Sequence, residues 1–106
     1  MTDRELLELA AKAAGEYYGE WSDRSNSFRI RYAGYWKEWN PLADDGDAMR
    51  LAVKLRMRIE HYSVTSDGCD RVGANNAPTV LYEGDSYAAT RRAIVRAAAE
   101  IGKQVA

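Results

Sequence analysis

A chain of 106 residues suffices for one packed domain and is too short for two. Hydrophobic residues make up 46% and charged residues 29%, too apolar a mixture for a disordered segment. The 15 Lys and Arg face 16 Asp and Glu, and the net charge of -1 excludes the overall basic excess on which non-specific nucleic-acid binding rests.

Cys69 is the only cysteine, so no intrachain disulfide can form, which fits a reducing compartment. The opening MTDRELLELAAKAAG is acidic and amphipathic, unlike a basic-then-apolar leader. No apolar run approaches the roughly 20 residues that span a bilayer. The expectation is a cytoplasmic protein without a membrane contact.

Taken in chain order, Thr2 and Glu5 form a capping-box pattern ahead of a helix. Its apolar stripe is Leu6, Leu9, Ala10, Ala13 and Tyr17; Gly15 weakens its end and Gly19 is its expected stop. After the polar stretch 22–27, Phe28, Ile30 and Tyr32 alternate with Arg29 and Arg31, the period of a half-buried strand. Ala33-Gly34 turns the chain into a second strand, Tyr35 to Trp39, which Pro41 ends. Asp44 caps a second helix from Gly46 to about Leu55, with Asp47 placed to reach back as in a capping box. Ala48, Leu51, Ala52 and Leu55 form its inner stripe, with Arg50 and Lys54 outside.

A third strand is expected from Met57 to Tyr62, then an exposed loop over 65–78, which is rich in turn formers. Val80 and Tyr82 mark a fourth strand. Asp85 or Ser86 caps a last, alanine-rich helix running to about Gly102, with Tyr87, Ala88, Arg91, Ile94, Val95, Ala98 and Ile101 as contact positions. The order α-β-β-α-β-β-α predicts a single α+β domain with a small, mainly antiparallel sheet packed with helices.

Two segments carry a resemblance. Trp39-Asn40-Pro41-Leu42, Asp44-Asp45-Gly46-Asp47-Ala48 and Arg50-Leu51-Ala52-Val53-Lys54-Leu55 resemble small bacteriophage proteins of the phage α/β/α-sandwich type, which place a W-N-P segment just before a helix. The run Ala88 to Ala98 resembles their final helix. The resemblance covers roughly 36–60 and 85–103. It implies a phage setting and a sandwich fold; such proteins are generally of unassigned function, so it implies no mechanism.

Charged and aromatic groups supply the candidate sites. The Asp44-Asp45-Gly46-Asp47 cluster has the oxygen chemistry of a hard-metal site but no EF-hand spacing, and a helix cap accounts for it. His61 shares a strand face with Met57 and Ile59 and has no positioned nucleophile; a core or rim position is expected. Asp67 and Asp70 near Cys69 disfavour its thiolate. No phosphate-loop, dinucleotide or zinc motif is present, and neither enzyme activity nor a cofactor is expected.

The aromatics Tyr32, Tyr35, Trp36 and Trp39 lie beside Arg29 and Arg31, a grouping that can grip a partner side chain or a base; Trp39 is expected beneath the helices. Arg91, Arg92 and Arg96 on the last helix suit phosphate or carboxylate, against a solvated face with an Arg96–Glu100 pair. The expected site is therefore Arg29, Arg31, Tyr35, Trp36, Arg91, Arg92 and Arg96. The expected role is a non-catalytic accessory protein binding a host or defence protein, in keeping with the phage resemblance. Sequestration of a small nucleotide-like signal, with a homo-oligomer enclosing it, is the alternative, and weak nucleic-acid binding a further one.

Overall fold

The computed structural model describes residues 1–15, 19–32, 34–62, 70–75 and 77–105. Helix α1 spans Asp3–Ala14. Thr2 Oγ1 accepts the Glu5 N–H at 3.1 Å, and the Glu5 carboxylate reaches back to Thr2, completing the expected capping box. The helix stops earlier than expected. Gly15 takes the left-handed conformation at φ 83° and its N–H closes onto the carbonyls of Ala11 and Lys12. Tyr17, placed on the stripe by its spacing, lies outside the described residues.

Three antiparallel strands follow: β1 (Glu20–Ser22), β2 (Ser27–Tyr32) and β3 (Tyr35–Trp39), in the order β1-β2-β3. The β2–β3 hairpin is the expected one, with Gly34 at φ 87° in its turn. Strand β1 was not legible: three residues carry no period.

Asn40 to Asp44 makes a tight corner, with Asn40 O accepting the N–H groups of Ala43 and Asp44. Helix α2 (Asp45–Lys54) then starts under the Asp44 cap, whose carboxylate accepts the Asp47 N–H at 2.8 Å. Arg56, at φ 53°, reverses the chain after α2, so β4 begins at Ile59 and not at Met57.

A second sheet holds β4 (Ile59–Tyr62), β5 (Asp70–Ala74) and β6 (Val80–Tyr82), antiparallel in that order. The expectation of a loop over 65–78 fails here. Asp70–Ala74 is the central strand, with Val72 and Ala74 fully buried. Its small residues suit the site, because a Cβ on Gly73 would sit 3.1 Å from the Thr79 methyl. Residues 65–69 of that stretch are outside the described set. The α+β class holds, with two three-stranded antiparallel sheets in place of one.

Helix α3 (Ser86–Lys103), capped by Asp85, is the central element. Ala89, Ala93 and Ala97, spaced one turn apart, bury against Val72 and Ala74 of the second sheet. Ile94, Val95, Ala98 and Ala99 join Leu6, Leu7, Ala10, Ala11 and Ala14 of α1, Leu51 and Ala52 of α2, and Phe28, Ile30 and Trp39 of the first sheet. Phe28 and Trp39 meet edge to face at 5.9 Å. Tyr87, an expected contact position, is exposed.

The two long helices approach so closely that a Cβ on Gly102 would lie 2.0 Å from the Leu9 carbonyl oxygen. Replacing a helical glycine with alanine in open space gains about 1 kcal/mol of helix propensity. Against backbone it must instead push two helices apart, an overpacking cost of about 1–3 kcal/mol or more. Gly102→Ala is therefore expected to lower the melting temperature by roughly 4–8 °C for each net kcal/mol lost. Thermal unfolding followed by circular dichroism checks this, and an unchanged or higher melting temperature would refute the close approach.

Candidate functional site

Strand alternation sorts the first sheet into two faces. Phe28, Ile30, Lys37 and Trp39 share the helix-facing side, and Phe28 and Trp39 are buried there. Opposite register positions put Glu20, Arg29, Arg31, Trp36 and Glu38 on the other side, which no helix covers among the described residues. The face is exposed because its residues are charged or amphipathic, and because α1 and α2 occupy only the apolar side.

Trp36 pairs directly with Arg31 and lies diagonal to Arg29. The guanidinium carbons sit 5.3 Å (Arg31) and 5.4 Å (Arg29) from its ring centroid, within cation–π range. Trp36 remains 38% exposed. Arg29 also donates to Glu20 at 3.1 Å. Among the described residues Arg31 has no carboxylate within ion-pair distance, and it lies over the Trp36 ring. Tyr35 is exposed at the end of the same hairpin, on the opposite face from Trp36. Three of the seven expected site residues, Arg29, Arg31 and Trp36, thus come together, and Tyr35 does not join them.

The three arginines of α3 go elsewhere. Arg91, only 18% exposed, donates from Nε to the Leu42 carbonyl at 2.8 Å and from Nη1 to Asp45 at 2.6 Å. It ties α3 to the corner before α2. Arg92 reaches Asp3 at 3.1 Å and ties α3 to the start of α1. Arg96 is exposed, and the expected Arg96–Glu100 pair is replaced by Lys103–Glu100 at 3.0 Å. These groups do not join Trp36 in one site.

The acidic cluster is fully employed. Asp44 caps α2, Asp45 holds Arg91, and Asp47 turns out to be no capping-box partner. Its carboxylate, 6% exposed by residue, accepts the Asn40 N–H at 3.0 Å and Arg50 Nη2 at 2.7 Å. The hydrogen bond to Asp47 and its charge hold the Arg50 guanidinium above its ordinary value, against partial desolvation. His61 is an exposed residue of the strand β4, on the face that carries Ile59. Cys69 lies outside the described residues.

Two depressions were not anticipated. A cleft of about 310 Å³ opens on the helix-facing side of β2 and β3, over Ile30, Trp39, Ala14 and Leu51, rimmed by Lys37, Arg50, Lys54 and Asp47. Arg50 and Lys54, one turn apart on α2, were read as a solvated outer face; that they overhang a cleft depends on where β3 lies. A second groove of about 420 Å³ lies between α2, α3 and β4, with Met49, Tyr87, His61 and Ile94 in its walls.

Comparison with protein-family models, with curated proteins and with solved structures finds no match to this chain. Among the described residues, no helix is long and apolar enough to cross a membrane.

The geometry separates the arginines by role. Arg91→Ala strands a backbone carbonyl and a carboxylate, and is expected to cost about 1–3 kcal/mol of stability. Arg96→Ala should change stability by less than about 0.5 kcal/mol. Urea denaturation of the two variants checks the contrast; equal midpoints would deny Arg91 its structural role.

Proposed function

We propose that this chain is a non-catalytic bacteriophage accessory protein that binds a host or defence protein in the bacterial cytoplasm through the outer face of β1–β2–β3. The phage setting is supported by the resemblance of 36–60 and 85–103 to phage α/β/α-sandwich proteins. The binding role is carried by one observation: Trp36 stands exposed on a sheet face that no helix covers among the described residues, with the guanidinium groups of Arg29 and Arg31 both within cation–π range of its ring. Tryptophan, tyrosine and arginine dominate the energetics of protein interfaces, and the cation–π contacts hold the two arginines in place before a partner arrives.

Two features favour a protein over a nucleotide or a nucleic acid. A base needs an open ring to stack on, and guanidinium groups already lie over Trp36. The same face carries Glu20 and Glu38 beside Arg29 and Arg31, so its formal charge is balanced. Polyanion binding driven by counterion release requires a net positive face. The non-catalytic reading is supported by the employment of the acidic cluster and Arg91 in holding the fold together.

The test is capture of partners from the host by tagged wild-type protein and by Trp36→Ala. A central tryptophan contributes about 2 kcal/mol or more, so the variant is expected to bind its captured protein roughly 30-fold more weakly. Its thermal transition should persist, since Trp36 is not among the buried core residues. Equal capture by the variant would remove this face from consideration. Native mass spectrometry separates the rival: a nucleotide-sized mass lost on denaturation supports sequestration.

A further inference from the structure

Two charges on the outer face of the first sheet have no ion-pair partner among the described residues. Glu20 is taken by Arg29 at 3.1 Å. Arg31 lies over the Trp36 ring and meets no carboxylate, and Glu38, which is exposed, meets no cation. The strand register fixes how these groups are arranged. Arg29 stands opposite Glu38 and Arg31 opposite Trp36, so Arg31 and Glu38 occupy one diagonal of the block and Arg29 and Trp36 the other. A free positive charge and a free negative charge, with an exposed tryptophan beside both, make the face complementary to itself.

We propose that this face packs on the same face of a second copy of the chain, in a two-fold symmetric dimer where Arg31 of each protomer binds Glu38 of the other. In a two-fold interface every contact occurs twice, residue i on j and j on i, and one free cation with one free carboxylate supplies such a pair. A two-fold axis that exchanges Arg31 and Glu38 runs along the other diagonal, so it brings Trp36 against Trp36. Each Arg29 also approaches the axis, carrying the Glu20 carboxylate that neutralises it. Burial of the two indoles supplies affinity, and the two ion pairs set the orientation. A uniformly acidic or basic surface would satisfy one of the free charges and cover the other without a mate. A second copy satisfies both. This goes beyond the host-partner reading and stands on the charges of the face, not on that partner; where both hold, a host protein must displace the second copy.

The experiment is sedimentation velocity of the whole protein over a concentration series, with two charge reversals and their combination. Wild type is expected to show a dimer fraction that rises with concentration. Arg31→Glu sets carboxylate against carboxylate at each contact and Glu38→Arg sets cation against cation, so each is expected to weaken the dimer about tenfold or more. The double variant Arg31→Glu/Glu38→Arg restores opposite charges across the interface and is expected to return the dimer to within about threefold of wild type. Misfolding of a single variant would not be repaired by the second reversal, so this recovery reads the contact itself. A wild type that stays monomeric, single reversals without effect, or a double variant no better than the singles would overturn the dimer. A monomeric chain that still captures a host protein through Trp36 would overturn the dimer and leave the host-partner reading standing. The expected charge-swap recovery, beside capture indifferent to Trp36→Ala, would support the dimer and overturn that reading.

Discussion

The closeness of α1 to α3 sets the terms for everything else in this molecule. Leu9 presents its backbone carbonyl where Gly102 has no side chain, and alanines line both helices near this approach. Small residues let backbones come together, but each buries little apolar area, and burial yields only about 25 cal/mol per Å². An alanine-rich helix pair thus makes a rigid axis and a thin core. The larger apolar groups are supplied by other elements: Phe28, Ile30 and Trp39 from the first sheet, Leu51 from α2, Val72 from the second. Because α3 serves both sheets through stripes on different sides, displacing it would open two clusters at once.

A thin core leaves the peripheral elements to be fastened by polar contacts. The corner between β3 and α2 is held by the buried carboxylate of Asp47 on the Asn40 N–H, and Arg91 bolts that corner to α3. Arg92 does the same for the start of α1. A buried or half-buried charge is tolerated only when its lone pairs or protons find partners, and each of these has them. That requirement explains why most charged groups with the chemistry of a binding site are unavailable for one. What remains is the outer face of the first sheet, where Arg31 meets an aromatic ring and no carboxylate among the described residues.

How much of this could be read from the sequence follows from the range of the interactions. The caps at Thr2 and Asp44, a cap at Asp85 or Ser86, and the β2–β3 hairpin with Arg29 and Arg31 on one face of its first strand are local patterns and were legible, whereas which aromatic shares that face depends on the register and was not. Strand β5 was not, because Asp70-Arg71-Val72-Gly73-Ala74 owes its conformation to β4 and β6 on either side and to the room a glycine leaves for Thr79. Nor was the split into two sheets, since α1 packs on the first and α3 on the second. The arginines of α3 are the instructive case. Helical spacing placed Arg91 on a contact side and Arg92 and Arg96 together, yet only tertiary placement shows Arg91 against Leu42 and Arg92 against Asp3.

The two ends of β3 differ in a way that bears on binding. At one end Trp39 is buried against Phe28, and the next residue is locked to Asp47, so the strand leaves the core in a fixed direction. From Glu38 toward the turn every residue is exposed. Anchoring one end in the core while β2 pairs along one side holds the exposed part of β3 extended. The same arrangement would ordinarily invite indiscriminate edge pairing, and the alternation of Trp36, Lys37 and Glu38 opposes it. A self-pairing centred on Lys37 would set two lysines against each other. Charged side chains along an exposed edge thus set β3 apart from the largely buried central strand of the second sheet.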